Sequence, residues 1–193
     1  MNPYRSVGTR KSWSRGGDPK NYTVVDTQHL RAVHQGDTNG CALAAVLYLL
    51  QFKGVETPDV QHPDDFAALY TSMGLDPSGY NTFARALEDM HALPLQHLHY
   101  VWIRYADKGR TTRSKPTFNP EIVRQHPTQD ILRFLRALLD QGHPFAAPFD
   151  GHFCTFVGHN PHGFLALGSY GDKGLHEVKE TTLFADAVNA VVW

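Results

Sequence analysis

One cysteine in this chain sits where a thiol can act as a nucleophile. Cys41 follows the polar loop Gln35-Gly36-Asp37-Thr38-Asn39-Gly40 and opens the apolar run Ala42-Leu43-Ala44-Ala45-Val46-Leu47-Tyr48-Leu49-Leu50. That pattern predicts a helix beginning at the cysteine. The first turn of a helix carries unsatisfied N–H groups and partial positive charge. Both favour the thiolate and lower the thiol's pKa. A second reactive group stands far along the chain, where Gly151-His152 opens the segment Phe153-Cys154-Thr155-Phe156-Val157. A histidine beside the sulfur is a base and, once protonated, a counter-charge. Gln35, six residues before Cys41, is placed to donate a side-chain N–H to an oxyanion together with the cysteine's own N–H. These are the parts of an acyl-transfer centre.

Each residue taken singly has a plainer role. A free cysteine packs as a small hydrophobe. His152, between Gly151 and Phe153, suits a buried core histidine. The combination of Gln, polar loop, Cys at a helix start and distant strand-opening His is what favours chemistry.

These segments resemble the papain-like cysteine peptidases, and most of all the compact C39-like group. In that superfamily a Gln precedes the nucleophilic Cys by six residues. The Cys begins the long central helix, and the catalytic His starts a strand in a Gly-His-Phe-like pattern. The stretch from Ile131 to Phe145 matches the group's short helix that ends in Gly-x-Pro, here Gly142-His143-Pro144. The resemblance covers about Val33 to Gly174, with specific motifs at its two ends. It implies an α+β, papain-like cysteine protease fold, with a helical half carrying Cys41 and an antiparallel β half carrying His152. The family's third catalytic residue is an Asp or Asn near the end of the strand pairing with the histidine strand. Counting through the hairpin reaches Gly168 and Ser169, with Asp172 just beyond. Asp172 is therefore the expected orienting group for His152, with Ser169 or a backbone carbonyl as alternatives. Thr38 and Ala42 stand where papain itself has Cys and Trp, and Cys41-Ala42-Leu43 replaces the usual Cys-Gly-Pro of the C39-like group.

The elements that must position these groups are readable in outline. Residues 1–20 read as a flexible, basic arm containing Trp13, and residues 21–193 as one catalytic domain. The central helix is expected from Cys41 to Gln51 or Phe52, stopped by Gly54. It is apolar nearly all round, so it must be buried. Amphipathic helices are expected over Asp64 to Met73 and Asn81 to His91, and a third over about Thr128 to Gln141. Leu95 to Tyr105 reads as a strand. Asp107 to Gln125, with Lys108, Arg110, Arg113, Lys115 and Arg124, reads as an irregular basic insert. It is either a docking loop or a solvated surface loop. Strands are expected over Phe145 to Phe149, His152 to Gly158, Phe164 to Leu167 and about Val188 to Trp193. Asn160-Pro161-His162-Gly163 is a hairpin turn. Strand alternation puts Cys154 on the face of His152. If His152 points at Cys41, Cys154 lies one step deeper on that face, a core residue able to bridge Cys41 only under oxidation.

Composition narrows the class. A chain of 193 residues buries a core without disulfides or metals, and its two cysteines make no disulfide framework. The net charge of −1 gives no nucleic-acid footprint. No apolar run approaches the ~18 residues of a membrane span. The first 20 residues lack a secretory h-region, so the chain is expected in the cytoplasm, or exported without a Sec signal by a dedicated secretion system. Twelve histidines invite a metal reading, but no HExxH or paired Cys-x2-Cys accompanies them. No GxGxxG, P-loop or Gly-x-Ser-x-Gly is present. No cofactor or metal is expected.

The expected reaction is hydrolysis of a peptide or isopeptide bond. His152 takes the Cys41 proton, the sulfur attacks the carbonyl, and a thioester forms and is hydrolysed. A peptidoglycan amidase or endopeptidase toxin is the alternative enzyme, and a non-catalytic papain-fold binding module the alternative of another class. The partners to consider are a peptide or protein substrate and an inhibitor or immunity protein, as for a bacterial effector.

Overall fold

The helix expected at Cys41 forms as α1 (Cys41–Phe52), and Ala42 through Leu50 are all buried. Its stop is chemical. Gly54 takes a φ of +70°, and its N–H returns to the Gln51 carbonyl while the Val55 N–H returns to that of Leu50. This left-handed cap satisfies carbonyls the helix would otherwise leave bare. The same device ends α2 (Pro63–Ser72) at Gly74 and α4 (Thr128–Asp140) at Gly142. α2 starts on Pro63, with Asp64 and Asp65 in its first turn, where the helix dipole favours negative charge. α3 (Phe83–Asp89) is a short helix.

The computed structural model describes residues 14–15, 19–80, 83–105, 123–126, 128–149, 152–169, 174–179 and 190–193. Asn81, Gly151, Asp172, Trp13 and residues 107–122 of the basic insert lie outside them.

The strands are β1 (Ser14–Arg15), β2 (Thr23–Val24), β3 (Tyr100–Tyr105), β4 (Val123–His126), β5 (Phe145–Phe149), β6 (His152–Asn160), β7 (Gly163–Leu167), β8 (Leu175–Lys179) and β9 (Ala190–Val192). They join in one sheet in the order β1-β8-β7-β6-β5-β9-β3-β4, with β2 pairing β6. Every described pairing is antiparallel except β3 with β4, which is parallel. The chain is thus mixed α+β with a largely antiparallel sheet. β6 lies near its middle, between β5 and β7.

The sheet separates two apolar cores. Phe153, Val157, Leu165 and Leu167 pack with α1, α2 and α3. Phe145, Phe149, Cys154, Phe156 and Phe164 pack with the apolar stripe of α4, Ile131, Leu132, Leu135, Leu138 and Leu139. Successive residues of β6 alternate between these cores, as strand geometry requires. Phe153 stacks on Phe83 of α3 with ring centroids 4.5 Å apart, and Phe145 on Phe156 at 5.0 Å. Full burial of such a ring contributes about 1.5–3 kcal/mol.

Four expectations are corrected. Leu95–His97 is a 3-10 turn, so β3 starts only at Tyr100; the Leu98 N–H bonds back to the Leu95 carbonyl. The end of the basic insert is a strand, β4, held by β3. Part of the expected arm, Ser14–Arg15, is paired to β8 at Glu177 and His176. Cys154 belongs to the α4-side core, so it does not share a face with Cys41, and the sheet stands between the two thiols.

Candidate active site

The site is built where the start of α1 meets the start of β6. Cys41 is the first residue of α1 and is partly buried. The backbone N–H groups of Phe153, Ala42 and Cys41 itself lie against its sulfur. Burial pushes the thiol's pKa up, and these three donors pull it back without cancelling the rise. The expectation of a lowered thiol is therefore corrected: loss of solvent outweighs the N–H donors. The sulfur lies in a cradle of N–H groups suited to the thiolate once it forms.

The loop before Cys41 is fixed at several points. The Thr38 hydroxyl donates to the Gln35 carbonyl at 2.7 Å, and Asn39 Nδ2 donates to the Pro77 carbonyl at 2.8 Å. Gly40 is buried so closely that a Cβ there would collide with the Phe66 ring of α2. Tyr70 stacks on Phe66 with centroids 6.3 Å apart and donates its hydroxyl to the Asp76 carbonyl at 2.6 Å. Burial, above all, raises the Tyr70 pKa, with smaller contributions from Tyr80, Cys41 and Asp76. The phenol therefore stays neutral beside the thiol.

Gln35 is buried and tied to the far end of β7. Its N–H donates to the Ser169 carbonyl at 2.8 Å, and the Ser169 hydroxyl donates to Gln35 Oε1 at 2.7 Å. Gln35 Nε2 has a long contact, 3.4 Å, to the Thr38 carbonyl. Tyr48 of α1 reinforces the join. Its hydroxyl accepts the Val33 N–H at 3.1 Å and donates to the Gly168 carbonyl at 3.0 Å. A helix turn deep in the core thereby holds both the segment carrying Gln35 and the strand end carrying Ser169.

His152 opens β6, one residue before the Phe153 N–H that faces the sulfur. Its cross-strand partner is Phe149, and it takes the alternation position of Cys154 and Phe156. Those side chains enter the α4-side core, so strand alternation puts the imidazole on the face away from the core that Cys41 packs against. Asp172 lies outside the described residues, in the β7–β8 connection whose ends are pinned by the Gly168 N–H to the Gly174 carbonyl at 2.8 Å.

The structure thus ties Gln35 to Ser169, and separately sets the Phe153 N–H of β6 against Cys41. The anchoring roles of Tyr48 and Phe66 were not legible beforehand, since both read as ordinary apolar-face residues. Among the described residues no group of three or more His, Cys, Asp or Glu is placed to hold a metal ion. None of their helices is long and apolar enough to cross a membrane. No family model matches the chain, and no curated protein or solved structure matches it significantly.

Proposed function

We propose that this chain is a cysteine-nucleophile hydrolase of papain-like, C39-like type that cleaves an amide bond through a thioester. The observation that supports this reading most is the position of the Cys41 sulfur, at a helix start and against the Phe153 N–H, one residue from His152. His152 acts as general base at the moment of attack, because the buried thiol holds its proton at rest. The N–H cradle stabilises the sulfur as the proton leaves. The carbonyl oxygen, negative in the tetrahedral intermediate, is received by the Gln35 amide. His152 returns the proton to the leaving amine, and water releases the acyl group.

The test pairs the wild-type chain with Cys41→Ala on two substrates, an unfolded protein mixture and purified peptidoglycan. New amino termini in the first define a peptidase, and in the second a cell-wall enzyme. Both must vanish in Cys41→Ala. Cleavage that survives the substitution refutes the mechanism. The raised thiol and the strand position of His152 favour a second reading, a binding module that keeps the fold without turnover. Binding of a peptide or glycopeptide, with no thioester captured by mass spectrometry, would select it.

A further inference from the structure

We propose that Ser169 is a positioning residue for Gln35: its hydroxyl holds the Gln35 amide with the oxygen turned inward and the nitrogen left for the oxyanion. The inference rests on the acyl-transfer reading above. It gives Ser169 a role different from orienting His152.

The geometry is specific. A glutamine amide is useful to an oxyanion only through its NH2 group, and its two ends have nearly the same shape. Something must decide which end faces the reacting carbonyl. The Thr38 carbonyl can only accept, so it takes the Nε2 end, and Ser169 Oγ, at 2.7 Å from Gln35 Oε1, donates to the oxygen and holds the amide in that orientation. A carboxylate at position 169, where the hairpin count expects one, would instead accept, and would draw the NH2 group toward itself. Ser169 is backed by its own carbonyl, which accepts the Gln35 N–H at 2.8 Å, so the two residues clasp through backbone and side chain together. Nε2 carries two hydrogens, and its contact to the Thr38 carbonyl is long, at 3.4 Å. The amide nitrogen is therefore weakly engaged in the resting protein.

Acylation and alkylation of the same sulfur separate this role from a structural one. p-Nitrophenyl acetate transfers an acetyl group to the thiol through a tetrahedral oxyanion and releases p-nitrophenolate. Iodoacetamide alkylates the thiol by displacement of iodide, with no oxyanion. Both reactions are followed on the full chain, with Cys41 as the modified residue verified by mass spectrometry. Gln35→Ala is expected to slow acetylation about a hundredfold, the scale of one oxyanion donor. Ser169→Ala is expected to slow it about tenfold, the loss of one orienting hydrogen bond. Alkylation should be unchanged in both, and Ser169→Ala added to Gln35→Ala should cost nothing further. Acetylation at the wild-type rate in Ser169→Ala, while Gln35→Ala is slow, overturns the proposal and leaves the acyl-transfer reading standing. A parallel fall in acetylation and alkylation assigns Ser169 to holding the loop and also overturns it. Acetylation that persists in Cys41→Ala defeats the acyl-transfer reading itself, and the proposal with it.

Discussion

At the scale of single residues, the state of the Cys41 proton decides how the site works. A partly exposed thiol at a helix start invites the idea of a standing thiolate–imidazolium pair. Burial works the other way here, and the three N–H donors on the sulfur do not restore the balance. The rate of iodoacetamide alkylation at Cys41 should therefore be low near neutral pH and rise with pH, with a midpoint above the ~8.5 of a free thiol. A midpoint below 7 would reveal a standing ion pair and reverse the assignment of His152 as a base that acts only during attack. Gln35 and Cys41 were legible as candidates because their relation is local, a fixed spacing across one loop. The partner that orients Gln35 was not. Ser169 lies 134 positions away, and hairpin counting found the residue but assigned it to the histidine. No spacing rule says which of two nearby polar groups a hydroxyl will choose.

At the scale of elements, α1 is a helix whose every side from Ala42 to Leu50 is buried, so its few polar contacts carry unusual weight. Tyr48→Phe keeps the ring and removes the hydroxyl shared by Val33 and Gly168. Leaving buried backbone groups unpaired costs about 1–3 kcal/mol. Urea unfolding should show that loss, and acetylation of Cys41 should slow with it, because both supports of the Gln35–Ser169 clasp loosen. Gly40→Ala is a steric counterpart. Its methyl must displace Phe66, an overpacking cost of about 1–3 kcal/mol, and α1 must shift at the residue preceding Cys41. A Gly40→Ala chain as stable and reactive as wild type would mean that α2 yields without cost. The helices α1, α2 and α4 were readable to within a residue or two, because apolar periodicity and a terminal glycine mark both face and end. β8 was missed for a physical reason. In Leu175-His176-Glu177-Val178-Lys179 only Val178 is fully buried, so a strand set between β1 and β7 shows little alternation of hydrophobicity. The 3-10 turn at Leu95–His97 was hidden for the opposite reason, since Leu95 and the following Leu98 continue the apolar character of β3.

At the scale of the whole molecule, the sheet carries two cores back to back, and the site lies at the end of one strand that serves both. Several titratable groups are enclosed with them. Burial raises the pKa of Tyr22 to about 12, with Glu177 adding to the rise, and burial likewise raises Tyr70, Tyr80, Tyr100 and the Cys41 thiol. All five shifts have the same sign, so their effect on stability adds. In the unfolded chain the thiol ionises near 8.5 and the phenols near 10, while the folded chain keeps these protons to higher pH. Above those values the unfolded state binds fewer protons, and stability must fall as pH rises. The contribution is fully present below about pH 8.5. It begins to erode there through Cys41 and falls more steeply above about pH 10 as the phenols follow. The urea midpoint should accordingly be level from about pH 7 to 8.5 and drop progressively to about pH 11. Tyr100→Phe should flatten the upper part of that slope by removing one of the buried phenols, and Cys41→Ala should flatten the lower part. A midpoint that stays level across the alkaline range in the wild-type chain would mean that these hydroxyls and the thiol meet water freely. The buried cradle around Cys41 would then be absent in solution.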